Sequence, residues 1–244
     1  MNLILATQAE NTPEIFASIQ GEGPSAGKPV AFVRLSRCNL ACVWCDTAYT
    51  WRFEGDNRPH RTGEAYERKA NQIALTPVEV AQRIADLGQS RLVITGGEPL
   101  LQAGQLADML EHLPDITVEV ETNGTVDPPA RFDIRVEQYN ISPKLAHSGN
   151  PADLALPEKM LDRWATDPRA AFKFVVAAPS DLDEIDALAR KHAILPRRIW
   201  LMAEGTDSAT LRTREQWLAP LCVERGHNLS DRLHIHIFGD TRGT

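Results

Sequence analysis

Long hydrophobic runs are missing from this chain. No apolar stretch approaches the ~20 residues that span a bilayer, and the N-terminal MNLILATQAENTPEIF lacks the basic start and the cleavage site of a secretory leader. A cytoplasmic protein is expected, in a compartment where structural disulfides are rare. Positive charge is scarce too. Against 33 Asp and Glu stand 26 Lys and Arg, a formal net charge of −7. No Lys/Arg run offsets it, so there is no basic face for nucleic-acid phosphates. Repeats and low-complexity segments are absent. Cysteine is sparse, with four in 244 residues, yet three of them crowd into RCNLACVWCDT.

The 244 residues suffice for one sizeable core, and a single domain over 1–244 is expected. Within it, apolar β-branched runs alternate with helical patterns. Strands are expected over residues 30–35, 91–95, 116–122, 138–142, 171–178, 198–202 and 232–238. A helix is expected from Thr76 to about Gly88, opened by the capping box Thr76-Pro77-Val78-Glu79. Further helices are expected over 101–113, 156–164, 181–192 and 213–225. The polar stretch within 52–75 reads as a flexible insertion.

Strand–helix alternation implies right-handed crossovers and a parallel sheet. Six or seven strands suit a partial, distorted (β/α) barrel or an open doubly wound sheet. Both carry their chemistry at the C-terminal ends of the strands. The chemistry-bearing residues obey that rule. Cys38, Cys42 and Cys45 follow the first expected strand, and Gly96-Gly97-Glu98-Pro99 the second. Glu121-Thr122-Asn123-Gly124 ends the third, Ser142-Pro143-Lys144 the fourth, and Met202-Ala203-Glu204-Gly205 the sixth.

Three readings compete for Cys-x3-Cys-x2-Cys. Structural zinc takes four ligands, often as two close pairs; here there is one triplet, and Cys222 lies far off in a helical pattern. A redox pair Cys42/Cys45 leaves Cys38 unexplained. A 4Fe-4S cluster held by three thiolates uses all three and leaves one iron open.

With Trp44 and the turn VITGGEPLLQ, the cysteine triplet resembles the radical S-adenosylmethionine superfamily, which implies a partial, distorted (β/α)6 barrel of the TIM type. In that superfamily the open iron binds S-adenosylmethionine, whose cleavage yields a 5′-deoxyadenosyl radical, while the protein orients the cofactor. A narrower resemblance covers nearly the whole chain. Ile19-Gln20-Gly21-Glu22-Gly23, Arg34, Asp46-Thr47, Thr95, ETNGT, SPK and LMAEG resemble the 7-carboxy-7-deazaguanine synthase family. That implies a lyase converting 6-carboxy-5,6,7,8-tetrahydropterin to 7-carboxy-7-deazaguanine with loss of ammonia, in queuosine and 7-deazapurine biosynthesis.

The resemblance also implies roles. Cys38, Cys42 and Cys45 would hold the cluster and Thr47 a Mg²⁺ ion. Trp44, Cys45, Asp46, Gly97, Ser142, Pro143, Lys144, Met202 and Glu204 would frame S-adenosylmethionine. Ile19, Gln20, Gly21, Glu22, Arg34 and Thr95 would contact the pterin, as would Thr244 through its terminal carboxylate. Elementary chemistry agrees: a guanidine-like edge suits Gln20 and Glu22, and a substrate carboxylate suits the Arg34 fork. The bland alternatives are a loop-capping Thr47, a solvated Lys144, a snorkelling Arg34, and His234 and His236 on one polar strand face. A flavodoxin- or ferredoxin-type electron donor and a homodimer are expected from the family. Ala203 departs from it, standing where proline is expected. Two rival functions are an activase of a glycyl-radical enzyme, which shares the cysteine spacing, and a non-enzymatic zinc-binding domain.

Overall fold

A computed structural model describes residues 1–244, and one curved, open eleven-stranded sheet organises them. Its strands are β1 (Leu3–Ala9), β2 (Thr12–Pro13), β3 (Ile15–Ile19), β4 (Pro29–Leu35), β5 (Gln72–Leu75), β6 (Arg91–Gly96), β7 (Thr117–Thr122), β8 (Val136–Ile141), β9 (Ala170–Val176), β10 (Ile199–Ala203) and β11 (Asn228–Ser230). The helices are α1 (Arg68–Asn71), α2 (Pro77–Asp86), α3 (Ala103–Leu110), α4 (Ala130–Asp133), α5 (Ala152–Ala155), α6 (Glu158–Thr166), α7 (Asp181–Lys191), α8 (Ser208–Arg225) and α9 (Leu233–Phe238). No helix is long and apolar enough to cross a membrane.

From β4 through β6, β7, β8, β9 and β10 to β11 every neighbour pair is parallel. This is the partial barrel that the superfamily resemblance implied, one of the two arrangements the alternation allowed. The strands read as near-continuous apolar runs because helices cover one face and side chains fill the other; all seven residues of β9 are buried. One cluster of 42 buried residues forms the core, with Trp164, Tyr139, Phe132 and Phe172 fully enclosed. The Thr76 capping box forms as expected, with Glu79 N donating to Thr76 Oγ1 at 3.3 Å and Thr76 N to Glu79 Oε2 at 2.8 Å.

The structure departs from the sequence expectation in four places. The N-terminal strands β1–β3 carried no expectation; they pair antiparallel, and the hairpin between β1 and β2 turns at Asn11, φ +59°. Residues 232–238 are not a strand. The His/Ile alternation has the period of a strand, but the chain has already made its last parallel pairing at β11, and 233–238 coil into α9 with Ile235 buried beneath. Short apolar runs are ambiguous in this way. His234 and His236 therefore do not share one strand face. Within 52–75, the last four residues are β5, paired with β1, and Arg52 is buried with its guanidinium donating to Asp56 O and Arg58 O. Helix α8 also starts earlier than expected, where Asp207 caps Ala209 N and Thr210 N.

Candidate active site

The loop after β4 opens at Arg37, which adopts a left-handed φ of +80°. Its backbone is buttressed from two sides. Val43 N donates to Ser148 O at 2.9 Å, while Arg61 N reaches Val43 O at 2.8 Å. His60 Nε2 lies 2.8 Å from Cys45 O. The 52–75 segment thus braces the cysteine loop.

Donor groups surround the sulfurs. Leu40 N points to Cys38 Sγ at 3.4 Å and Asn150 Nδ2 to Cys42 Sγ at 3.3 Å. Burial pushes the thiols up, Cys38 to about 12 with Glu98 adding, and Cys45 to about 11 with Asp46 adding. Both shifts are upward, so thiolates here need a positive metal centre. The three sulfurs do not all lie within 4.8 Å of one another; the only trio of His, Cys, Asp or Glu ligand atoms that do is Glu215, Asp231 and His236. A single tetrahedral zinc would draw its sulfurs to about 3.8 Å. The wider spread, with N–H donors aimed at sulfur, fits a multi-iron cluster instead. Cys222 is remote and buried in α8, its Sγ 3.8 Å from Asn228 O.

The turn after β6 docks directly on this loop. Gly97 N donates to Leu35 O at 3.0 Å and Glu98 N to Arg37 O at 2.9 Å. A Cβ on Gly97 would lie 2.3 Å from Arg37 O. Glycine is needed there for close approach, not for a special φ. Glu98 is fully buried and accepts from Leu100 N (2.9 Å), Thr122 Oγ1 (2.8 Å) and Asn123 N (2.7 Å). It ties the second strand end to the third.

Between these turns and α9 lies a cleft of about 250 Å³. Ile19, Gln20, Gly21, Glu22, Arg34, Thr95 and Thr244 line it, as do Cys38, Cys42, Trp44, Cys45, Asp46, Thr47, Gly97, Ser142, Lys144, Met202 and Glu204. Of the residues given a role toward cluster, cofactor, Mg²⁺ or pterin, Pro143 alone does not; it is buried between Ser142 and Lys144.

Several of these side chains already have partners. Arg34 spends its Nε on Glu14 Oε1 at 2.7 Å, and Glu14, buried, also accepts from Tyr49 Oη at 2.9 Å. It is therefore a held ion-pair residue, not a snorkelling one. Glu204 pairs with Arg61 (2.5 Å) and with Arg214, which also donates to Glu204 O, while Glu204 N donates to Val176 O at 2.9 Å, so both its side chain and its backbone are committed. Lys144 Nζ donates to Ser142 Oγ at 2.6 Å and sits 5.7 Å from the Trp44 ring centroid, so it is no solvated loop lysine. Trp44 stacks on His147, and its buried Nε1 has no partner. Thr47 does not cap the short turn it precedes; its Oγ1 has only Cys45 Sγ nearby, at 3.6 Å. At Ala203, fully buried at the end of β10, the turn is made by Gly205 with φ +154°.

The inner end of the cleft was not legible in the sequence. Lys173 on β9 bridges Glu22 Oε2 (2.5 Å) and Glu121 Oε2 (2.7 Å). Arg232 binds Glu22 Oε1 at 3.1 Å and also Asp46. Burial works against Glu22 ionising, but Lys173 and Arg232 outweigh it and hold its carboxyl well below the usual range. Helix α9 brings His234 Nε2 within 3.9 Å of Glu22, and burial lowers its pKa, leaving it neutral near pH 7. His236 instead faces Ser208 and Asp231 outside the cleft. The terminal segment is pinned by Arg242, which lies 3.5 Å from the Tyr49 ring centroid and donates to Asn71 Oδ1 at 2.8 Å. That pinning brings Thr244 to the cleft. The available signals were weak: a lysine inside an apolar strand pattern, and a histidine whose period was misleading.

A three-thiolate loop and a Gly-Gly-Glu-Pro turn at the C-terminal ends of adjacent strands of a partial barrel define a radical S-adenosylmethionine enzyme. The Radical SAM superfamily profile matches residues 33–139. Over its whole length the chain is similar to 7-carboxy-7-deazaguanine synthases. With that of Pyrobaculum aerophilum it shares 35% identity over 98% of this chain and 99% of the relative. With that of Rhodopirellula baltica it shares 35% over 95% and 87%. The crystal structure of QueE from Escherichia coli superposes with a TM-score of 0.66 at 26% identity, covering 96% and 95% of the two chains. The chain belongs to the 7-carboxy-7-deazaguanine synthase family.

Proposed function

We propose that the cleft converts 6-carboxy-5,6,7,8-tetrahydropterin to 7-carboxy-7-deazaguanine with loss of ammonia, a lyase step toward queuosine and related deazapurines. The cofactors are a 4Fe-4S cluster, S-adenosylmethionine and Mg²⁺. The observation that carries the reading is the meeting, in one cleft, of the cysteine loop, the Gly97 turn and a wall of Gln20, Glu22 and Arg34. Bound at the cluster, S-adenosylmethionine supplies the radical that takes a hydrogen atom from the substrate.

The chain's own residues bind, orient and exclude water. Cys38, Cys42 and Cys45 would hold the cluster, and the Leu40 N–H and Asn150 side-chain amide aimed at Cys38 and Cys42 sulfur would stabilise the thiolates. Gly97 would admit the cofactor's amino-acid end close to the backbone, Ser142 and Lys144 would contact it, and Trp44, Asp46 and Met202 would frame the remainder. Arg34, aimed by Glu14, offers its terminal nitrogens to the substrate carboxylate. Thr47 offers a hydroxyl to Mg²⁺, a hard cation that keeps waters and borrows substrate oxygens. Gln20 and Glu22 receive the guanidine-like edge, and the Thr244 end closes over the substrate. A flavodoxin- or ferredoxin-type donor, a homodimer and a cytoplasmic location complete the reading.

The test is anaerobic reconstitution with iron and sulfide, followed by reductant, Mg²⁺, S-adenosylmethionine and the pterin. Product appears by mass spectrometry and is lost in Cys42→Ala. Formation of 5′-deoxyadenosine without the deazaguanine would retain the radical chemistry, reject the pterin and favour the activase.

A further inference from the structure

The cleft floor concentrates negative charge in an unusual way. Glu119 and Glu121 share donors: Gln20 Nε2 reaches Glu119 Oε1 (2.9 Å) and Glu121 Oε1 (3.2 Å), and Asn140 Nδ2 reaches both at 2.7 Å; Glu22 joins them through Lys173, which donates to Glu22 and Glu121. Each of these carboxylates faces a neighbour of its own sign in a buried setting, which is costly unless cations or donors intervene. The cations are few and unequally placed. Arg91 Nη1 lies 3.5 Å from Glu119. Arg232 reaches Glu22 but is shared with Asp46. His234, neutral, adds no charge. Glu121 has a single cationic partner, Lys173, whose side chain is 6% exposed.

We propose that Lys173 is a specificity-determining positioning residue: its ammonium aims Glu22 and Glu121 into the cleft as hydrogen-bond acceptors, selecting a substrate edge rich in N–H donors. The inference rests on the pterin reading above and deepens it. Lys173 spends two of its three N–H donors on these carboxylates, one from the loop after β3 and one from β7. It therefore fixes the spacing of two acceptors on separate elements. A 2-aminopyrimidinone edge presents adjacent N–H groups and matches such a pair; an edge lacking the exocyclic amine leaves a buried carboxylate unpaired. Without Lys173, Glu22 keeps Arg232, whereas Glu121 keeps only neutral donors and its carboxylate neighbours. Burial, Glu22 and Glu119 already press Glu121 upward, so loss of the cation would shift it further toward the protonated form, in which one acceptor becomes a donor.

The test uses reconstituted holoenzyme with S-adenosylmethionine bound and no reductant, so that only binding is read. The probes are 6-carboxytetrahydropterin and its 2-desamino analogue, measured by equilibrium dialysis across pH 6–9. The wild type is expected to prefer the amino compound by about 10- to 100-fold, the range of one or two hydrogen bonds to a charged group. In Lys173→Met the preference should fall below about threefold and recover partly as pH rises, with iron content and S-adenosylmethionine affinity unchanged. Lys173→Arg, which keeps the charge, should retain most of the preference and covers the case in which the methionine variant fails to fold. Undiminished discrimination in Lys173→Met, or its complete loss in a folded, iron-loaded Lys173→Arg, would overturn the proposal while the pterin reading stands. A wild type that binds neither probe would overturn both.

Discussion

Gly97→Ala tests the contact on which the site is assembled. The added methyl would sit 2.3 Å from Arg37 O and 3.0 Å from Cys38 Cβ, both parts of the cysteine loop. Relief to an ordinary contact of about 3.4 Å requires the turn and the loop to separate by about 1.1 Å. Doing so stretches the 2.9 Å bond from Glu98 N to Arg37 O. Overpacking of this kind costs about 1–3 kcal/mol, or roughly 3–10 °C of Tm for a domain of this size. The functional loss should exceed the stability loss, because Cys38 moves with the loop and, in the proposed binding mode, the cofactor would meet the methyl itself. The expected result is a folded protein with reduced iron after anaerobic reconstitution and S-adenosylmethionine affinity weakened at least tenfold. Gly104→Ala serves as the control: its Cβ meets nothing nearer than 3.5 Å, inside α3, and the change should be neutral or stabilising by about 0.5–1 kcal/mol. A Gly97→Ala protein with wild-type Tm, iron content and cofactor affinity would refute the close-approach argument.

Three further outcomes are expected. Arg34→Ala should weaken pterin binding at least tenfold while the cluster loads normally, because Arg34 contacts no cysteine; unchanged pterin affinity by calorimetry would remove it from the substrate site. Glu22 is held ionised below its usual 4.5, so its stabilisation is complete above that value and erodes as pH falls below it. The urea midpoint should drop on acidification from pH 5 to 3, and less steeply in Glu22→Gln; parallel slopes would contradict the pairing. Thr47→Ala should raise the Mg²⁺ concentration needed for half-maximal turnover severalfold without altering iron content, and an unshifted Mg²⁺ titration would assign Thr47 a purely structural place.

The six strands from 30 to 203 and most rim residues were legible in the sequence, because a parallel sheet buried on both faces demands continuous apolar runs and its site demands polar residues just beyond them. The cysteine spacing was legible for a similar reason, since a cluster needs its thiolates on one short loop. Segment 232–238 misled because a six-residue alternation of His and Ile satisfies a strand as well as one helical turn and a half, and only the exhausted sheet edge after β11 decides between them. Lys173 and Glu121 lie 52 residues apart, and Glu22 and Arg232 lie 210 apart. No local pattern announces such pairs; they exist only where the curved sheet brings β7, β9 and α9 around one cleft.

The sequence by itself determined the succession of parallel strands, the cysteine loop and the rim on which polar residues sit, because each follows from local periodicity or spacing. The tertiary structure alone decided which charges meet. It paired Arg34 with Glu14, set Lys173 between two acids, committed Glu204 to Arg61 and Arg214, and folded the terminal segment back against Tyr49. Buried ion pairs are settled by desolvation and distance, and both are properties of the closed fold.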